Sequence, residues 1–329
     1  MTLIDLALQN LVSPMVLFFV LGLVAAFARS DLSVPESVAK LLALYLLISI
    51  GFRGGSEVAH HGLTGQLMAT IGAGVALSFA IPPLAFFSLR ATTRLSPIDA
   101  AAVAAHYGSI SAVTFAAVTG SLNLIALPFE GYMVAVAAAM ETPAIMSALG
   151  LARPYRGQAA DSDGQSLWRE VLLNGSVVAL LGAFVVGMIT GQRGLTTLKP
   201  FLVDLFPGFL CLFLLDMGLV AGRGLQQGKR HLSAALAVFA VIMPVVSAAI
   251  AAVLSVIIGL SAGGTAVFMT LAASASYIAV PAALRLALPE ANPAISLTMS
   301  LGITFPFNLM LGIPLYISIA KAITHAATP

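Results

Sequence analysis

The sequence predicts an all-α polytopic membrane protein: ten transmembrane helices in a 5+5 inverted repeat, with helices 4 and 9 broken. Three observations carry that prediction. Hydrophobic residues make up 60% of the 329 positions and charged residues 9%, with a mean hydropathy of +1.03. A soluble domain carries roughly 25% charged residues, so this chain lacks the polar surface to face water and must face lipid. The second observation is a set of ten apolar runs, each near the roughly 20 residues that cross a bilayer. The third is that the chain is written twice. His106-Tyr107-Gly108-Ser109-Ile110-Ser111-Ala112-Val113 in the first half answers Leu271-Ala272-Ala273-Ser274-Ala275-Ser276-Tyr277-Ile278 in the second, Ser109 and Ser274 standing 165 positions apart.

The apolar runs lie at about 12–28, 34–52, 66–89, 98–121, 128–150, 169–190, 201–221, 232–259, 263–288 and 294–320. The first ends in Ala26-Phe27-Ala28, which looks like a signal-peptidase site. The segment before it holds Asp5 and no Lys or Arg, and the run matches the start of the second half, so it reads as a retained helix. Loops after odd-numbered helices share one side of the membrane. They hold Arg29, Lys40, Arg90, Arg94, Arg153, Arg156, Arg169, Arg223, Lys229, Arg230 and Arg285, against Arg53, Arg193, Lys199 and Lys321 on the other side. Eleven against four places the odd loops in the cytoplasm and both termini outside, periplasmic in a cell inner membrane. Residues 1–151 then form the first five-helix repeat, 152–168 a cytoplasmic linker, and 169–329 the second repeat. Five is odd, so the second repeat enters the membrane upside down.

Other matches follow the same order. Ile50-Gly51-Phe52-Arg53-Gly54-Gly55 corresponds to Met217-Gly218-Leu219-Val220-Ala221-Gly222, and Glu141-Thr142-Pro143 to Thr304-Phe305-Pro306. Any one match between apolar helices is weak, but an ordered set marks a duplication. A membrane protein interrupted at corresponding places in its two halves reads as a secondary transporter with a site near the midplane.

Several classes are excluded or disfavoured. The net charge is +2 with no basic run, so no nucleic-acid surface is expected. The single cysteine, Cys211, lies in an apolar run and allows neither an intramolecular disulfide nor a CxxC metal site. His60-His61 has no further Cys or His cluster with it. No cofactor is expected, and no metal beyond a coupling Na⁺.

The breaks supply the chemistry. Gly108 permits non-helical backbone, while Ser109, Ser111 and Thr114 offer hydroxyls that replace lost backbone partners or bind a ligand. Unwound backbone at membrane depth is tolerated only where it is buried in protein or lines a cavity. A half-helix starting near Ser111 and another starting at Ser276, after Ala273 and Ser274, would point two positive N-termini into one space. That is an anion site needing no buried cation. The alternative is that the serines only permit close helix packing.

Few ionisable groups lie at depth. Glu141 stands next to Thr142 and Pro143, and a proline frees a carbonyl in the preceding turn. A carboxylate beside freed carbonyls suits Na⁺ or a proton, and Thr304 and Asn308 offer the neutral equivalent in helix 10. Asp216, with Arg223 downstream, reads as a paired or snorkelled charge. His106, three residues before Ser109, reads as packing or lining; a remote alternative is an intramembrane hydrolase using Ser109 and His106, but no GxSG, HExxH or aspartate pair accompanies them.

The stretches Gly108-Ser109-Ile110-Ser111, Glu141-Thr142-Pro143, Ala272-Ala273-Ser274-Ala275-Ser276 and Gly302-Ile303-Thr304-Phe305-Pro306 resemble the sodium-dependent bicarbonate permease family of cyanobacterial carbon-concentrating systems. The resemblance spans the whole chain. It implies a core domain carrying the broken helices, a gate domain carrying the oligomer contact, Na⁺-coupled bicarbonate uptake by alternating access, a homotrimer, and a PII-like cytoplasmic regulator. On the chemistry of the residues themselves, the expected substrate-binding set is Gly108, Ser109, Ser111, Thr114, Ala273, Ser274 and Ser276, and the expected cation-binding set is Glu141, Thr142, Thr304 and Asn308. The chain departs from the cyanobacterial pattern at Glu141, where that pattern has an aspartate, and at Tyr277, where it has a third serine and an aspartate. The linker is also much shorter. A proton-coupled or facilitative permease for another small carboxylate or inorganic anion is the alternative reading.

Overall fold

The computed structural model describes residues 11–62, 64–155, 175–228 and 232–327. Among the described residues all regular structure is helical. A helix satisfies its own backbone, which is what lipid demands. The helices are α1 (Pro14–Phe27), α2 (Glu36–His61), α3 (Gly65–Thr92), α4 (Pro97–Gly108), α5 (Ala112–Leu124), α6 (Met133–Ala139), α7 (Glu141–Ala152), α8 (Gly175–Lys199), α9 (Phe206–Gly228), α10 (Ala234–Ile258), α11 (Ala262–Ala273), α12 (Ala279–Ala287), α13 (Pro293–Met299) and α14 (Ile313–Ala327). Each of the ten apolar runs is helical over most of its length. Among the described residues seven stretches are long and apolar enough to cross a membrane. One of them, Val178–Gln226, has 49 residues, while Pro14–Phe27 and Ala262–Ala273 are shorter apolar helices. The linker at 152–168 lies mostly outside the described residues, as do Arg156, Arg169, Lys229 and Arg230.

Local sequence sets the helix starts. Side chains of Ser13, Thr64, Ser96, Ser111, Ser233, Ser261 and Asn292 accept hydrogen bonds from backbone N–H groups in the first turns that follow them, satisfying donors that no helix can satisfy by itself. Prolines set the irregularities. Pro143 cannot donate to the Ala139 carbonyl, and the helix divides into α6 and α7 at Met140. The chain between α13 and α14 stays helical but widens to π turns at Ser300–Thr304 and Asn308–Gly312, on either side of Pro306. Pro306 lacks the N–H that a regular turn there would use.

The broken helix sits at the centre. The apolar window of Pro97–Leu124 is 94% buried, against 33% for Ala234–Ile258. α10 instead turns Val238, Ile242, Val253 and Ile257 outward, the face a lipid-exposed helix requires. Inside, small residues let helices approach the break. Gly108 is the last helical residue of α4 and has no left-handed φ. Its place is fixed by space instead: a Cβ there would overlap the Pro82 ring of α3.

Two helix crossings share one device. Gly22 of α1 lies on the Leu215 carbonyl of α9, and Gly218 of α9 lies on the Phe19 carbonyl. Gly51 and Gly55 of α2 lie on the Leu180 and Phe184 carbonyls of α8, and Gly187 of α8 lies on the Phe52 carbonyl. A Cβ at any of the five would overlap backbone. Gly22 and Gly187 are 165 positions apart, the same interval as the serines. Glycine contacts of this kind bring apolar helices together in lipid, where hydrophobic burial gives no drive.

These crossings should therefore resist enlargement. Gly55→Val and Gly218→Val are each expected to destabilise the detergent-solubilised protein by about 3 kcal/mol or more, read as a lowered unfolding temperature. Gly182→Ala, on α8 with open space around it, should stay within about 0.5 kcal/mol of the parent.

Candidate functional site

The two breaks meet, and each supplies what the other lacks. α4 ends at Gly108, residues 109–111 run extended, and α5 starts at Ala112. α11 ends at Ala273, residues 274–278 are non-helical, and α12 starts at Ala279. The Ser111 N–H donates to the Ser274 hydroxyl at 2.9 Å, and the Ser276 N–H donates to the His106 carbonyl at 2.8 Å. The Ser276 carbonyl accepts from His106 Nδ1. Backbone groups stranded by the loss of helix are thus paired across the two halves, as burial away from water requires.

The serines divide the work. Ser274 donates to the Leu271 carbonyl at 2.8 Å, closing the end of α11. Ser109 donates to the Glu141 carbonyl at 3.2 Å, tying the first break to the proline-divided helix. Ser111 caps α5 through the Thr114 N–H at 3.2 Å. Ser276 accepts from the Val280 N–H at 3.4 Å, so the second half-helix begins three residues later than its sequence suggests. The reason lies in the other half of the chain: both backbone groups of Ser276 are already bound to His106, which holds this stretch extended.

The remaining predicted residues are also placed. Thr304 donates to the Ala240 carbonyl at 2.7 Å, which leaves its oxygen to accept from the Tyr107 hydroxyl at 2.7 Å. Asn308 donates to the Ala273 carbonyl at 2.8 Å and accepts from the Tyr316 hydroxyl at 3.0 Å. Both act as braces for the broken helices. Thr142 is half-buried. Ser78 of α3 was not singled out from the sequence, yet it donates to the Met140 carbonyl at the division between α6 and α7. A serine within a proline-bearing helix is its only sequence signal. Arg223 donates to the Leu32 carbonyl at 2.7 Å, and no ion pair joins it to the buried Asp216.

A pocket of about 30 Å³ lies where the breaks face α2 and α9. That volume admits one or two water-sized groups. Of the predicted residues, Ser111, Glu141 and Ser276 line it, together with Ala112, Val113 and Tyr277. Leu46, Leu47 and Ile50 of α2 and Phe213 of α9 form the opposite wall. Glu141 is 7% exposed and Ser111 4%, so the polar groups are sealed from bulk water. A helix start leaves four N–H groups without an intrahelical partner. At α5 the Ser111 and Thr114 donors are taken by serines, and the two left over belong to Ala112 and Val113, both on the pocket wall. Donors at a positive helix end suit an anion. The Glu141 carboxyl on the same wall suits a cation. The Ser109–His106 contact that catalysis would need is not formed among the described residues, each side chain bonding elsewhere. No group of three or more His, Cys, Asp or Glu that could hold a metal occurs among those residues either.

Apolar helices whose breaks meet at a small pocket, with a few polar groups in a mostly apolar lining, have the form of a membrane transporter. Residues 14–321 match the Na⁺-dependent bicarbonate transporter superfamily, and the chain belongs to that family. It is a multi-pass membrane protein. No curated protein matches the chain.

The bracing role of Ser274 is separable from ligand binding. Ser274→Ala leaves the Ser111 N–H buried and unpaired and is expected to cost about 1–3 kcal/mol of stability, measurable by thermal unfolding without substrate. Thr92→Ala, which removes only an exposed intrahelical hydrogen bond, should change stability by less than about 0.5 kcal/mol.

Proposed function

We propose that this protein carries bicarbonate into the cell together with Na⁺ by alternating access. The observation that carries the reading is the shared pocket: Ala112 and Val113, whose N–H groups are left over at the start of α5, line it together with Glu141. Family membership supplies the substrate class. The anion would sit against the Ala112 and Val113 N–H groups, with Ser111 and Ser276 beside it. Na⁺ would sit by Glu141 and the Thr142 hydroxyl. Thr304 and Asn308, already committed to hydrogen bonds, would hold the broken helices and offer only leftover lone pairs.

Ten crossings in two inverted repeats suit this mechanism. Val178–Gln226 then counts as two crossings, and Pro14–Phe27 and Ala262–Ala287 as two more. The repeated glycine crossings support the duplication: α1 on α9 and α2 on α8 exchange under a swap of the first and second halves. The four helices α1, α2, α8 and α9 would form the gate, and the broken helices with α3, α6, α7 and α10 the core, one rocking against the other across the pocket. The charge balance of the loops supports periplasmic termini in an inner membrane. A homotrimer and a PII-like regulator follow from the family resemblance alone.

Labelled bicarbonate uptake into proteoliposomes with and without an inward Na⁺ gradient tests the reading; uptake indifferent to Na⁺ overturns the coupling. Glu141→Gln is expected to raise the Na⁺ concentration for half-maximal uptake. Because coupling is reciprocal, the variant should lose anion affinity mainly at limiting Na⁺ and recover it as Na⁺ rises. A lone buried carboxyl also suits proton coupling. In that case acidification outside drives parental uptake, and Glu141→Gln abolishes the pH response while leaving Na⁺ without effect.

A further inference from the structure

Five buried hydroxyls among the described residues have no hydrogen-bond partner: those of Ser49, Ser56, Tyr132, Thr265 and Tyr277. Ser49, Ser56 and Thr265 lie within helices, where rotation about χ1 lets such a hydroxyl reach the carbonyl one turn back. A phenol has no such recourse. Tyr132 is half-buried and lines a wide cavity at the protein edge. Tyr277 is different: it is 7% exposed and lines the pocket beside Ser111 and Glu141, its phenol near enough to the Ser111 side chain to interact with it without completing a hydrogen bond. An orphaned polar atom that is fully buried requires a reason.

The repeat makes the position more pointed. Ser274 and Ser276 answer Ser109 and Ser111 at an interval of 165, so Tyr277 answers Ala112. One half of the site carries a methyl group where the other carries a phenol. The ring packs edge-on against Phe305, centroids 5.4 Å apart, which holds it in place and takes up room the pocket would otherwise have.

Resting on the bicarbonate reading above, we propose that Tyr277 determines which anion this transporter accepts. Its hydroxyl donates a hydrogen bond to the bound anion, and its ring confines the pocket to an oxyanion with one central atom, such as bicarbonate, formate or nitrate. Two- and three-carbon carboxylates are excluded by size. In the empty protein the hydroxyl completes no hydrogen bond; with cargo present it turns from Ser111 to the anion.

Tyr277→Phe removes the hydroxyl and keeps the ring. Because only the weak interaction with Ser111 is lost, the empty variant should unfold close to the parent's temperature. Its half-saturating bicarbonate concentration should rise roughly tenfold to a hundredfold, the usual loss for a hydrogen bond to a charged group. Stabilisation of the detergent-solubilised protein by bicarbonate, formate or nitrate should weaken in parallel. Tyr277→Ser enlarges the pocket, so acetate and pyruvate should begin to compete with bicarbonate. An unchanged half-saturation in Tyr277→Phe overturns the ligand contact; failure of that variant to fold does so too, since it shows that the hydroxyl holds the structure. Continued exclusion of acetate by a folded Tyr277→Ser overturns the size limit. If the parent ignores bicarbonate but is stabilised by formate or nitrate, and Tyr277→Phe loses that effect, the bicarbonate reading fails while the role of Tyr277 stands.

Discussion

A backbone that leaves the helix inside a membrane must find partners for its N–H and C=O groups without help from water. The rest of this fold depends on how that demand is met. The Ser276 N–H reaches the His106 carbonyl, and the Ser111 N–H reaches the Ser274 hydroxyl. Each break is tolerable because the other lies against it. Neighbouring elements are then placed by what remains unsatisfied. Asn308 comes to the end of α11 to take the Ala273 carbonyl, and α7 lies beside the first break where Ser109 takes the Glu141 carbonyl. α3 comes close enough for Gly108 to touch Pro82.

What the breaks leave unpaired matters as much as what they pair. Two serines satisfy two of the four free donors at the start of α5, and the Ala112 and Val113 N–H groups are left at the pocket. A site made from residual helix donors binds an anion by hydrogen bonds and the helix dipole, with no cation to desolvate. It suits a carrier, which must release its cargo as well as hold it. The opposite wall belongs to α2 and α9, packed on α8 and α1 through glycine-to-backbone contacts. Such contacts bring the helices of each pair to backbone distance.

Positions that correspond in the two halves of the sequence differ in chemistry. Glu141 answers Thr304 and Tyr277 answers Ala112. The Thr304 hydroxyl is spent on Tyr107 and Ala240, whereas the Glu141 carboxyl faces the pocket. The first repeat thus brings the ionisable group and the second brings the phenol.

Much of this was legible in the sequence. Composition fixed the solvent, run length located the helices, and the paired serines at a constant interval marked both breaks, because small polar residues inside an apolar run have few other uses in lipid. Capping by Ser111 and division of the helix before Pro143 follow from local chemistry that any fold would share. The sequence could not say which hydroxyls brace and which line the pocket. Ser109, Ser274, Thr304 and Asn308 differ from Ser111 and Ser276 only in what lies opposite, and that is set by helices distant in the chain. Gly108 reads in the sequence as freedom to leave the helix and is a point of contact, since whether a glycine supplies conformational freedom or room depends on its neighbour. The late start of α12 is likewise decided by His106, 170 residues away, because an extended backbone persists only where something fixed stands ready to pair with it.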